Sequence, residues 1–464
     1  MDMPLTITDA AAQFRSGALT SVQLTQAAIA QADRVDEKLG VYLHRRDEDA
    51  LADAERADAD FANGVDRGPL QGIPVGLKDV FATKDAPTTA QSLAFDGAWT
   101  DGVDASVVAR LRDAGAIFTG KNTTMEFVTG CPDPDKPFPI PRNPWDASKW
   151  AGGSSSGTAS GIATGCFLGG VGTDTAGSCR NPAAMSGITG FKPTYGRVPK
   201  TRAVPLSWSF DHVGPLARSA RDCALMLQVM AGFDAGDPWS EDVLVPDYTA
   251  GLDGSLDGLR IGVERDHHTR VDGVDPVAVE RFEAALEVLE AGGAKVTEIS
   301  IPFVDEVRSA TAVAYFSEAF AYHRTNLQRR WLDYGKDARL IIGSAALYSA
   351  ADYVQAGRVI ADARQRADEL FDSVDLIVTP TVGGGAPDVD GLNFLTLLTL
   401  PIFTPIWNAL RNPVINVPIG FTEAGLPLGM QLAGRHWEEP TVLRAADAYQ
   451  QRTDWHLRVP PIAG

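Results

Sequence analysis

Between Gly152 and Pro193 the chain reads GGSSSGTASGIATGCFLGGVGTDTAGSCRNPAAMSGITGFKP, a stretch of Gly, Ser, Thr and Ala with almost no charge. Residues this small offer little apolar area to bury, so the segment is not an ordinary core element. Ile162, Cys166, Phe167, Leu168 and Val171 make it too apolar for a flexible Gly/Ser linker. Its composition instead suits backbone N–H groups and serine hydroxyls drawn close around something small. Whatever fold the chain adopts must accommodate this stretch at its centre.

The rest of the chain is compatible with a large globular body. Over 464 residues, 44% are hydrophobic and 22% charged, enough for a sizeable core and against disorder. A formal net charge of −19 disfavours a nucleic-acid partner, whose phosphates require clustered Lys and Arg. Cys131, Cys166, Cys179 and Cys223 are irregularly spaced without a CxxC, and read as free thiols of a reducing compartment. The first residues have neither a basic n-region nor an apolar h-region, and no run approaches the roughly 18 apolar residues of a membrane helix. A cytoplasmic protein is expected.

Helical and strand-like patterns alternate along the chain, which predicts the α/β class. Thr20 to about Asp60 reads as helical, and Gly72–Thr83 as extended. A helix opened by Asp104 leads into a buried strand over Ala116–Lys121, and the proline-rich Cys131–Trp150 is expected to be an ordered loop. Ser219 and Asp222 have the spacing of a capping box for a helix to Gly232. Strands are expected at Leu259–Val263, Lys295–Ile299, Leu376–Thr379, Val414–Val417 and Leu428–Leu432. Helices are expected over Val277–Ala291, from Val307 to about Phe371 and from Pro440. With no convincing linker, residues 1–464 are read as one domain, with a helical segment at 1–63 and a catalytic segment at 72–200.

Two motifs mislead. Gly115–Asn122 nearly spells a P-loop, but Asn122 replaces the metal-binding Ser/Thr and the intervening residues are apolar, so a buried strand is the better reading. Gly153–Gly157 matches GxSxG, yet the preceding Arg142–Ala151 cannot be the central strand a nucleophile elbow requires, and none of the seven histidines lies in a motif.

What remains is a constellation. Lys78 lies in an apolar run from Ile73 to Phe81, where an amine either snorkels or is buried with a depressed pKa. Ser154–Ser156 and Ser178 could each be helix caps in isolation. Ser178 also follows the Gly-containing turn Asp174–Gly177, whose N–H groups could stabilise an oxyanion. Taken together, Lys78 in GIPVGLKD, GGSSSG at Gly152–Gly157, GTDTAGSCRNPA at Gly172–Ala183 and ITGFKPTYGRV at Ile188–Val198 closely resemble the amidase signature family. TSVQLT, RNPWD, DHVGPLARSARDCALML and PLGMQLAGR extend the resemblance over nearly the whole chain.

The resemblance implies a mixed central β-sheet surrounded by helices, and a Ser–cisSer–Lys triad without metal or cofactor. By position, Ser178 is the nucleophile, Ser154 the bridging serine on a cis peptide after Gly153, and Lys78 the base. The N–H groups of Thr175, Ala176, Gly177 and Ser178 are the expected oxyanion hole. Asp174 and Arg180 are expected to pair and hold the loop. The family often has Gly-Gly before the nucleophile; here Ala176 stands first, so its backbone must keep to a region open to Ala. Cys179 is read as a small buried residue.

Candidate substrate contacts are Gly130, Cys131, Trp150, Phe394, Pro401 and Trp407, although core is the default for each large aromatic, Trp208 and Phe210 included. The resemblance favours a stand-alone amidase acting on neutral, apolar or aryl amides, anilides or carbamates, with a urethanase among its forms and homodimerisation left open. The competing role is the glutaminase subunit of a tRNA-dependent amidotransferase. Members with that role carry an acidic residue just before an IFT sequence; here that position is Pro401. A non-catalytic scaffold is the third reading, and the intact Lys78, Ser154 and Ser178 speak against it.

Overall fold

The computed structural model describes residues 3–464. Its frame is one eleven-stranded sheet. The strands are β1 (Tyr42–Arg45), β2 (Pro74–Lys78), β3 (Ile117–Asn122), β4 (Gly169–Asp174), β5 (Thr189–Lys192), β6 (His212–Ala217), β7 (Arg260–Val263), β8 (Lys295–Glu298), β9 (Leu376–Pro380), β10 (Val414–Phe421) and β11 (Pro427–Gly434). Their order across the sheet is β1-β3-β2-β4-β6-β5-β10-β11-β9-β7-β8. β2 runs parallel to both β3 and β4, and β7 parallel to β8 and β9, while the intervening pairs are antiparallel. The sheet is therefore mixed, with helices packed around it, as expected.

Parallel pairing positions the site. Because β2 and β4 run side by side in the same direction, their C-terminal ends emerge together, bringing Lys78 beside Thr173 across 95 residues of chain. All five residues of β2 are buried, which matches its unbroken apolar run. The small-residue stretch makes this centre thin. Helix Ser156–Thr164 is buried along its whole length and lies close to the sheet. A Cβ on Gly157 would collide with the Val41 carbonyl and with Thr123, so only glycine lets the helix approach this far.

Several local expectations change. The helical pattern from Thr20 to Asp60 is two helices, Ser21–Leu39 and Asp47–Ala62, separated where Gly40 turns left-handed (φ 60°) and β1 joins the sheet edge. The helix expected from Asp104 begins at Ser106; Asp104 binds Arg112 with its carboxylate instead. Ser219 caps helix Ala220–Met230 by accepting the Asp222 N–H, but the reciprocal half of the box is missing. The Asp222 carboxylate instead accepts from the Thr8 N–H and hydroxyl, tying the N-terminal helix to the body. The P-loop-like segment is β3, buried throughout. No helix among the described residues is long and apolar enough to cross a membrane.

Candidate active site

Lys78 ends β2 with no exposed surface, and its Nζ lies 2.8 Å from Ser154 Oγ, 2.8 Å from Thr173 Oγ1 and 3.1 Å from Ser155 Oγ. Burial strips water from the amine and lowers its pKa to about 7, although Cys179, Asp174 and Asp211 pull the other way. Near neutral pH a substantial fraction of this lysine is uncharged. Ser154 follows a cis peptide bond from Gly153. The Ser155 hydroxyl donates to the Thr173 carbonyl at 3.3 Å, so its oxygen is left to accept from Lys78.

The loop between β4 and helix Arg180–Ser186 carries Ser178. Asp174 organises it. One carboxylate oxygen accepts the Gly177 N–H at 2.8 Å, and the other accepts the Cys179 N–H at 3.1 Å. Arg180 grips the same carboxylate with Nε and Nη2, both at 3.0 Å, and Asn408 donates to it at 2.8 Å. Burial alone would raise the pKa of Asp174, but the Arg180 guanidinium overrides it and holds the carboxyl well below the usual carboxylate range. The pairing of Asp174 with Arg180 is thus present and fully buried.

Gly177 has φ 121°, and a Cβ there would run into Thr404 and Asn181, which requires glycine. Ala176 is not among the residues with positive φ, as its side chain demands. Thr404, last of the IFT sequence, donates to the Ala176 carbonyl at 2.7 Å. Thr175 donates to Asp211 at 2.6 Å, and burial raises that carboxyl to about 6.

Above the loop is a cavity of about 290 Å³ lined by Ser154, Thr175, Ala176 and Ser178. Met125, Val128, Tyr315, Phe316, Ile341 and Leu397 give it apolar walls. No Asp or Glu lines it, and Arg308 is its one charged side chain. A larger cavity of about 470 Å³, bordered by Trp99, Lys200, Trp208 and Trp239, contains neither Ser154 nor Ser178. The chemistry, not the volume, selects the first.

Not every expected residue reaches the cavity. Gly130, Gly153, Trp150 and Phe394 line it. Cys131 faces a separate small cleft with Glu126 and Lys136, and burial pushes its thiol up. Trp407 is 1% exposed in the core beside Phe210 and Leu410, because its helix Pro405–Leu410 turns it inward. Pro401 is directed away, its carbonyl accepting from Gly383, while the next residue, Ile402, meets the cavity. Gly177 is also a correction: its N–H is taken by Asp174 and it does not line the cavity, whereas Thr175, Ala176 and Ser178 do. Ser155 and Thr173, the two further partners of Lys78, escaped the sequence reading. Only the knowledge that β2 and β4 are parallel neighbours picks out Thr173.

Known proteins resemble this chain over nearly its whole length. A family model described as Amidase matches residues 23–443. Among curated relatives, the A subunit of glutamyl-tRNA(Gln) amidotransferase from Roseiflexus sp. (strain RS-1) is 39% identical, with 99% of this chain and 98% of that protein covered. The peptide amidase of Stenotrophomonas maltophilia is a solved structure with a TM-score of 0.83 at 30% identity, covering 98% of each chain. A structure described in connection with the origins of an s-triazine catabolic enzyme superposes with a TM-score of 0.89 at 29% identity. It covers 96% of this chain and 98% of that one.

Proposed function

The chain belongs to the amidase signature family and is an amide C–N hydrolase, and on that premise we propose that it cleaves small amides lacking a free ammonium group through Ser178, Ser154 and Lys78. The observation that carries the substrate side is the cavity wall: largely apolar, without a carboxylate. Carboxamides, anilides and carbamates fit it. A cavity this small suits one ring or a short alkyl group.

The steps follow from the contacts. A serine hydroxyl needs a base to attack an amide, and lysine can be that base only when neutral. A neutral amine has two N–H groups and one lone pair. Ser155 Oγ and Thr173 Oγ1 accept the two N–H groups, so the lone pair faces Ser154. Ser154 gives its proton to Lys78 and takes one from Ser178, whose oxygen forms the bond to the carbonyl carbon. Charge developing on the carbonyl oxygen is met by the N–H groups of Thr175, Ala176 and Ser178, three residues of the cavity lining. The proton then returns through Ser154 to the leaving nitrogen as the C–N bond breaks. Water, activated by the same relay, cleaves the acyl-enzyme.

The names of the curated relatives favour a second reading, the glutaminase subunit of a tRNA-dependent amidotransferase. The two readings differ in how they treat an α-ammonium. Without a carboxylate in the wall, glutamine is expected to be hydrolysed roughly ten- to a hundredfold more slowly than a neutral aryl or alkyl amide, the worth of one charge-assisted contact. Rates of ammonia or amine release on a panel of glutamine, anilides, aliphatic amides and carbamates check this. A purified protein that prefers glutamine to every neutral amide establishes the second reading instead.

A further inference from the structure

Arg308 stands alone in this cavity, and we propose that it selects substrates bearing an anionic group, a carboxylate first, at the end remote from the scissile carbonyl. The inference deepens the proposed function and rests on that reading of the cavity. Its basis is placement. On helix Val304–Arg330, Arg308, Thr311, Ala312 and Tyr315 recur at i, i+3, i+4 and i+7, and all four line the cavity. That helix face is therefore the cavity wall, and Arg308 is its outermost member, itself exposed at the mouth.

The charge is not explained by the fold. Arg265 and Arg330 are paired with Glu283 and Asp333, but Arg308 has no carboxylate within ion-pair distance among the described residues. It sits near the N-terminal end of its helix, where a positive charge gains nothing from the helix dipole. A guanidinium offers two parallel N–H donors that match a carboxylate, and no other charged side chain lines the cavity it shares with Ser178. The complementary ligand is an amide at one end, an alkyl or aryl spacer, and a carboxylate at the other. Glutamine has the carboxylate, but its ammonium meets no acid here and is repelled by the same arginine.

The test compares amides ending in a carboxylate with their methyl-ended counterparts across several spacer lengths, in wild type and Arg308→Gln. At the matching length the wild type is expected to show a kcat/KM about threefold higher for the carboxylate, expressed mainly in KM and shrinking as salt is added. In Arg308→Gln the ratio is expected to fall to about one. Glutaramate, which is glutamine without its ammonium, is expected to outrun glutamine. A wild-type ratio near one at every length overturns the assignment, as does a preference that survives in Arg308→Gln. Hydrolysis of the methyl-ended amides in either case leaves the proposed function standing, whereas turnover of neither class removes both.

Discussion

Ser178→Ala is expected to lose at least about a thousandfold in amide turnover, with the fold unchanged. Removing a nucleophile abolishes the covalent route and leaves only binding and oxyanion contacts. The loss of one oxygen should be structurally silent, because Ser178 is half-buried at the cavity floor and the loop is held by Asp174 through Gly177, Cys179 and Arg180. Circular dichroism and thermal unfolding report the fold; substrate hydrolysis reports the chemistry. Wild type quenched during turnover is expected to carry an acyl group on Ser178 by mass spectrometry. Full activity in the alanine variant would move the nucleophile elsewhere.

Lys78 sets the second large effect. Its pKa of about 7 means that activity should rise with pH through an apparent value near neutrality, as the amine loses its proton. Lys78→Ala is expected to lose most amide turnover, since the leaving nitrogen needs the returned proton. It should lose proportionally less on activated esters, whose leaving groups do not. Lys78→Arg should rescue neither, because guanidinium stays protonated. Near-wild-type amide turnover by the arginine variant would make Lys78 a fixed positive charge and end the proton relay.

The residues proposed to carry the chemistry were legible because their types are costly elsewhere. A lysine inside an apolar strand, and serines among glycines, have few structural uses. Asp174 and Arg180 were legible as a pair through their opposite charges around one loop. The pocket was not. Trp407 and Phe394 are both large aromatics on short helices near each other in sequence, yet one is core and the other cavity wall. Which way a helix faces depends on what packs across it, and that partner is remote in sequence. Thr173 and Arg308 were missed for the same reason: neither sits in a telling local context. Secondary structure failed where a short element interrupts a longer pattern, as β1 does between two helices. Asp104 and Asp222 have the spacing of caps, but other groups claimed their carboxylates.

The burial of Lys78 also makes the stability of the whole protein depend on pH. In the unfolded chain this amine holds its proton up to about pH 10.4; in the folded protein it gives it up near 7. Between those limits the unfolded state binds more protons, so this group makes stability rise with pH across that window. Below about 7 the fold must enclose a charged ammonium, at a cost on the order of several kcal/mol relative to alkaline solution. The slope should be shallower in Lys78→Met, which has no proton to gain, and denaturant titrations at pH 7, 8, 9 and 10 measure the difference. Acid is therefore expected to act on this enzyme twice through one nitrogen, silencing the proposed base and loosening the sheet that holds it.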